Sequence, residues 1–414
     1  MRVLMFGWEF PPHFSGGLGT ACYGLTKSLN HLNTEVIFVM PSGPQNMTSG
    51  FVKLLVANNL VNDDKLRFKK VDSLLTPYMT SEQYKEQYSK IAGDSSKQGL
   101  YGEDIYQEVF RFAAKATYLA LQENFDIIHC HDWMTYPAGI KAKEMTGKPL
   151  IVHIHATEFD RTGGNGVNQL VYDIEREGFH KADLVIANSY FIKQKLIHYY
   201  GVPEEKIRVV HNAVEFTEKN FENERFPIKR DDKVVLFLGR ITLQKGPDYF
   251  VEAARKVLEK DPNVKFVIAG TGDMLPRIIN RVAELGISNK FLFPGFVSRD
   301  EGDRLYRMAD IFVMPSVSEP FGIVPLEAIW CETPVIISNQ SGVSEVLHHC
   351  LKVDFWDVNE LANKMLALLH YSNLHTTLRE RGLEEVEKMN WDIPAKKCID
   401  IYNELLRKTW KVNI

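Results

Sequence analysis

The chain has 414 residues, 45% hydrophobic and 25% charged, with 49 Lys and Arg against 53 Asp and Glu. That length calls for two or three domains, and the composition excludes a disordered, collagen-like or coiled-coil chain. A net charge of −4 gives no basic field to gather nucleic acid or an anionic membrane.

Residues 2–6 (RVLMF) predict a buried strand, 20–33 a helix with apolar positions on one face, and 35–40 a second strand. The span 42–101 breaks the pattern. It is polar and weakly periodic, carries Tyr78, Tyr84, Tyr88 and Tyr101, and reads as an insertion above a sheet. Strands follow at 126–130, 150–155 and 183–187, with helices at 167–181 and 190–200. The charged stretch 215–232, which contains Pro227, reads as an interdomain linker. Alternation then restarts, with strands at 233–238, 264–269, 290–293, 311–314 and 334–337 and helices at 247–258 and 299–308. An amphipathic helix at 393–410 ends the chain. Strands this apolar, alternating with helices, predict an α/β protein with parallel sheets covered on both faces. The expected domains are 1–215, with the insertion at about 42–101, then a linker at 216–232, a second domain at 233–390 and a terminal helix at 391–414.

The apolar run at the start is too short for a signal segment, and no run of about 18 apolar residues follows. Cys22, Cys130, Cys331, Cys350 and Cys398 are scattered, with no C-x-x-C. They argue against a disulfide scaffold or zinc ribbon and fit a reducing compartment. A cytoplasmic protein without a transmembrane span is expected.

Ligands of open α/β sheets bind beyond the carboxyl ends of the strands, and the distinctive residues fall there. After the first strand comes Phe14-Ser15-Gly16-Gly17-Leu18-Gly19-Thr20. It suits either a tight turn or a phosphate held at a helix N-terminus, and it is neither a dinucleotide fingerprint nor a P-loop. After strand 233–238 comes Gly239-Arg240-Ile241-Thr242-Leu243-Gln244-Lys245-Gly246. Two cations stand where a helix start favours carboxylates, so this is a solvated basic turn or the seat of a di- or triphosphate. Ser318-Glu319-Pro320-Phe321-Gly322-Ile323-Val324-Pro325-Leu326-Glu327-Ala328 places Pro325 in a first helical turn, two carboxylates in an apolar setting, and the Gly322, Ile323 and Val324 N–H groups toward a ligand. Two His-x-His pairs, His129/His131 and His153/His155, stand at strand ends with Asp132 and Trp133. Alternate strand residues share a face, so four imidazoles and Asp132 can meet, as a polar rim or as zinc ligands. There is no Asp-x-Asp in the chain. A departing diphosphate would therefore rest on Arg240, Lys245 and backbone amides without a metal.

Taken together these residues resemble the retaining glycosyltransferases of the two-Rossmann-domain GT-B type: family 4, with features of bacterial glycogen and starch synthases. The resemblance spans nearly the whole chain. SEPFGIVPLEA resembles the paired-glutamate motif, Gly239-Arg240 through Lys245-Gly246 the basic phosphate loop, and His129-Cys130-His131-Asp132-Trp133 the synthase H-x-H-D-W segment. Asn390-Trp391-Asp392 and the helix after it resemble the segment that crosses back to the first domain. Phe14 and Ser15 stand where the synthase motif has lysine and threonine, which removes a cation from the donor side.

The resemblance implies a metal-independent hexosyltransferase with two doubly wound domains facing a cleft and no cofactor beyond its donor, UDP-glucose or ADP-glucose. It implies that Arg240 and Lys245 hold the leaving diphosphate, that Gly17 lets the backbone reach it, and that Glu319 contacts the donor sugar. Gly322, Ile323 and Val324 would bind sugar hydroxyls or phosphate, Glu327 the ribose, and His155 and Asp132 would lie near the transferred sugar. The partners implied are a nucleotide sugar and a carbohydrate acceptor: glycogen or another α-glucan, a cell-surface polysaccharide, or a lipid-linked acceptor. A nucleotide-sugar epimerase on the same scaffold is the alternative of another class.

Overall fold

The computed structural model describes residues 1–11, 16–41, 50–57, 105–164, 166–215 and 232–412. Seven parallel strands make a first sheet: β1 Arg2–Phe6, β2 Glu35–Met40, β3 Lys53–Val56, β4 Ile127–His131, β5 Leu150–Ile154, β6 Leu184–Ala187 and β7 Ile207–Val209, in the order β3-β2-β1-β4-β5-β6-β7. Six more make a second: β8 Lys233–Leu238, β9 Val264–Ala269, β10 Phe291–Gly295, β11 Ile311–Met314, β12 Val335–Ser338 and β13 Leu351–Val353, in the order β10-β9-β8-β11-β12-β13. In β8 the alternation sorts the core: Val234 and Leu236 pack into the large apolar core shared with the first sheet, and Val235 and Phe237 into a separate core on the other face. This is the α/β fold, with two parallel sheets, that the apolar strands predicted.

One expectation is corrected within 42–101. Residues Lys53–Val56 are an edge strand of the first sheet, paired in parallel with β2 from Ile37↔Lys53 to Met40↔Val56. Positions 42–49 and 58–101 lie outside the described residues, as do Phe14, Ser15 and 216–231. The last helix, Asp392–Val412, runs back to the first sheet. There Trp391 presses on Gly24, where a Cβ would stand 2.3 Å from its indole nitrogen, and the Tyr402 hydroxyl lies 2.7 Å from His129 Nδ1.

Both strand orders reverse direction once, between β1 and β4 and between β8 and β11. Those switch points open a crevice beyond the carboxyl ends of the strands, where doubly wound folds take ligands. Chain geometry thus brings four loops together as candidates: those after β1, β4, β8 and β11.

Candidate active site

The loop after β8 turns at Gly246, which has φ +67° and stands so close to β11 that a Cβ would lie 2.1 Å from the Pro315 carbonyl oxygen. Only glycine fits there, and the tight turn holds Lys245 at the mouth of the loop. The Lys245 ammonium lies 2.5 Å from Glu319 Oε2, which also accepts from Ser316 Oγ at 3.2 Å. Arg240 Nη2 donates to Gln244 Oε1 at 2.9 Å, and the Gln244 carbonyl accepts from Val317 N at 2.9 Å. Arg240, Lys245 and Glu319 are therefore one assembly, with Gln244 as the joint that sequence reading passed over. A buried glutamine between two cations is invisible until the β11 loop is seen beside it.

Glu319 itself is only 6% exposed. Its backbone N–H donates to the Gln340 carbonyl at 2.9 Å, and its carbonyl accepts from Gly342 N at 2.9 Å. Gly322 takes φ +97°, and with Ile323 it leads into helix Val324–Trp330, which has Pro325 in its first turn. Glu327, on that helix, accepts from the Tyr306 hydroxyl at 3.3 Å. Burial pushes its carboxyl above the usual range.

Across the crevice, Gly17 opens helix Gly17–His31, exposed, with nothing within 4 Å of where a Cβ would stand. The helix start is already served by a carboxylate. Glu9 Oε2 accepts from Gly19 N at 3.3 Å, and a Cβ on Gly16 would stand 2.7 Å from the same oxygen. Glu9 is 7% exposed. Burial pushes its carboxyl up to about 6, against the bonds from Gly19 and Gly16, and it feels the charges of Asp132 and Arg240. Glu9 was missed in the sequence; its signal was a lone acid between an apolar strand and Pro11-Pro12.

The four histidines do come together, but not as a polar rim. His129, His131 and His153 are at most 2% exposed and His155 is 7% exposed. Because β4 and β5 pair with His131 opposite His153, the rings form a stacked file under the sheet face, 4.4 Å apart from His129 to His131 and from His153 to His155. Burial lowers all four, His129 to about 3, so the file is neutral at physiological pH. His131 Nδ1 lies 3.0 Å from His155 Nε2.

Among the described residues, His129, His131 and His153 are a group that could hold a metal, each bringing one ring nitrogen within 4.8 Å of the others. Their rings lie within 17–36° of parallel.

Asp132 is buried beside the loop that carries His155. It has φ +60°, a strained value for a non-glycine residue, and its Oδ1 accepts from His155 N at 2.6 Å and Ala156 N at 3.4 Å. Its carboxylate thus holds the loop that carries His155.

Comparison with known proteins follows the same division of the chain. Residues 15–218 match the family model described as Glycosyltransferase Family 4, and residues 218–385 the one described as Glycosyl transferases group 1. The chain is 31% identical to an uncharacterized glycosyltransferase of Methanocaldococcus jannaschii over 97% of this chain and 98% of that one. It is 24% identical to a glycogen synthase of Mycobacterium tuberculosis over 84% of this chain and 80% of that one. The solved structure of sucrose-phosphate synthase from Thermosynechococcus elongatus superposes with a TM-score of 0.75 at 18% identity, covering 98% of this chain and 99% of that one.

Proposed function

The chain belongs to the family 4 glycosyltransferases of the GT-B fold, and from that premise we propose that it moves a hexosyl group from a nucleoside-diphosphate sugar to a carbohydrate acceptor, retaining anomeric configuration and using no metal ion. The observation that carries this reading is the assembly of Arg240, Lys245 and Glu319 at the switch point of the second sheet. Glycosyl transfer needs preorganised positive charge where the diphosphate departs. Glu319 pairs with Lys245, and a donor diphosphate would bring negative charge to the same ammonium.

In the proposed reaction the acceptor hydroxyl oxygen bonds to the anomeric carbon on the face the leaving group vacates. The bond from that carbon to the diphosphate oxygen breaks, its electron pair stays on the phosphate, and the acceptor proton passes to that phosphate oxygen. Arg240 and Lys245 hold the developing charge, with the Gly17 amide on the opposite side. Glu319 contacts the donor sugar, Glu327 the ribose, and Gly322, Ile323 and Val324 the hydroxyls or phosphate. His155 faces the transferred sugar, positioned by Asp132 from behind. Because no carboxylate is cast as nucleophile, this is not the paired-acid chemistry of glycosidases.

UDP-glucose and ADP-glucose are the donors we put first, and the glycogen synthase among the relatives supports an α-glucan acceptor. The test incubates the protein with UDP-glucose, ADP-glucose or GDP-mannose, each with and without glycogen, in EDTA. Released diphosphate with sugar in the polymer from one donor is the expected result. Donor isomerised without acceptor would instead make the protein an epimerase, and transfer abolished by EDTA would overturn metal independence.

A further inference from the structure

Beside the donor assembly lies a junction between the two halves of the chain that no part of the proposed reaction uses. Asp160, fully buried on the short helix Glu158–Arg161, accepts from Thr157 N at 2.8 Å, Thr157 Oγ1 at 2.7 Å and Ser318 Oγ at 2.6 Å. It also pairs with the Lys195 ammonium from helix Tyr190–Tyr200. That ammonium donates to Ser318 Oγ at 2.7 Å and stands 4.2 Å from the centre of the Phe191 ring. An ion pair taken out of water is tolerated only when its remaining bonds are made, and here they are, from three separate segments.

We infer that the Asp160–Lys195–Ser318 junction fixes the spacing between His155 and Glu319, and that Lys195 is a positioning residue acting through Ser318. This rests on the transfer reading above. Three observations carry it. First, the junction ends next to the proposed site on both sides: Ser318 directly precedes Glu319, and Thr157, which caps the Asp160 helix, lies two residues beyond His155. Second, the His155 loop is clamped from its other side as well. Arg161 Nη1 donates to the Ala156 carbonyl at 2.6 Å and Nε to Glu158 at 3.0 Å, and the guanidinium pairs with the fully buried Glu175. A loop fixed to its own domain by Arg161 and to the other half by Asp160 has little freedom left, so its place relative to Glu319 is set by the junction. Third, the segment Ser318–Phe321 is held to the first half at a second point, Ser189 Oγ donating to the Pro320 carbonyl at 2.6 Å. One contact would leave a hinge; two fix an orientation.

The chemistry calls for such a device. The groups proposed around the donor come from both sheets, Gly17 and His155 from the first and Arg240, Lys245 and Glu319 from the second, and a misplacement of about 1 Å can cost about 100-fold in rate. The donor-holding cations also keep supports within the second half, Arg240 on the Gln244 side chain and Lys245 on Glu319 beside Gly246.

The test compares Lys195→Met, Lys195→Arg and the double variant Asp160→Asn/Lys195→Met with wild type. It reads kcat, donor KM, affinity for UDP, and amide exchange across residues 155–161 and 316–322. For Lys195→Met we expect kcat lower by about tenfold or more, UDP affinity within about threefold of wild type, and faster exchange in both segments. Lys195→Arg should recover most of the rate. The double variant leaves no unpaired buried charge; it keeps the test valid if the single variant fails to fold and should show the same rate loss and faster exchange. A merely structural lysine would lower the melting temperature and leave kcat of the folded enzyme unchanged. Wild-type kcat in Lys195→Met, or in the double variant, overturns the proposal. If the wild-type protein transfers sugar from no donor, the transfer reading fails and exchange alone decides. Faster exchange at 316–322 then sustains the junction, and unchanged exchange there overturns it.

Discussion

Lys245 is the residue on which the proposed chemistry leans most. Lys245→Ala removes the ammonium that would meet the leaving phosphate and leaves Glu319 buried without its cation. A lost charge-stabilising donor of this kind costs about 100-fold or more in kcat. Steady-state rates check this, and a variant within a few-fold of wild type would refute the cradle. Glu9 gives a pH signature. Its carboxyl sits at about 6 in the folded protein against an ordinary 4.5, so the folded state holds that proton more tightly. The resulting stability is complete below pH 4.5 and is lost as pH rises through 6, a change of about 2 kcal/mol. Glu9→Gln should abolish this dependence. Urea unfolding should show the variant gaining on wild type by about that amount between pH 4 and pH 7, and parallel curves would contradict it. Individual residues were legible in the sequence where chemistry and local spacing coincide, as in Arg240 with Lys245 or Glu319 with Glu327. Glu9, Gln244 and Lys195 were not. Their partners lie 10, 73 and 123 positions away in Gly19, Val317 and Ser318, and no local pattern marks a residue whose backbone or side chain meets a distant neighbour.

Among the elements, the basic turn after β8 is the most exposed to a single change. Gly246→Ala would force an L-residue to φ +67° and drive its Cβ into the Pro315 carbonyl. The left-handed backbone alone costs about 1–2 kcal/mol, and relief of the overlap must move the turn. We expect the melting temperature to fall by about 4 °C or more and kcat by about tenfold, since Lys245 is the adjoining residue. A variant with unchanged melting temperature and rate would mean that the turn tolerates what the geometry forbids. The central strands were legible because each is mostly apolar and bounded by polar or helical segments. Edge strands β3, β7 and β13 were not; they have 4, 3 and 3 residues, too few for periodicity to separate strand from loop. Helices such as Ile105–Gln122 and Val358–His370 also passed unnoticed, the first because it follows directly on a span with no alternation to frame it.

At the scale of the whole molecule, the helix Asp392–Val412 ties the end of the chain to its beginning. Trp391 fills the space over Gly24, and Tyr402 gives His129 its hydrogen-bond partner. Deleting residues 391–414 should cost amide protection in helix Gly17–His31 and in β4, while β8 and β9, enclosed by their own helices, keep theirs. Hydrogen exchange read segment by segment distinguishes this from uniform loosening, which would mean that the helix stabilises the molecule in general and not the first sheet. The same arrangement explains why the histidine file escaped a sequence reading. Its inner end is closed by a residue 273 positions away, so the pair of His-x-His motifs looked like strand ends open to a ligand.

That closing helix also sets a timetable for synthesis. The strands of the first sheet leave the ribosome by residue 209, but the helix that covers helix Gly17–His31 begins only at residue 392. At about 5–20 residues per second the interval is about 9–37 s. For that time the nascent protein lacks both the Trp391 cover over Gly24 and the Tyr402 hydroxyl that bonds His129, while the second sheet can already form. The half made first is therefore the half finished last.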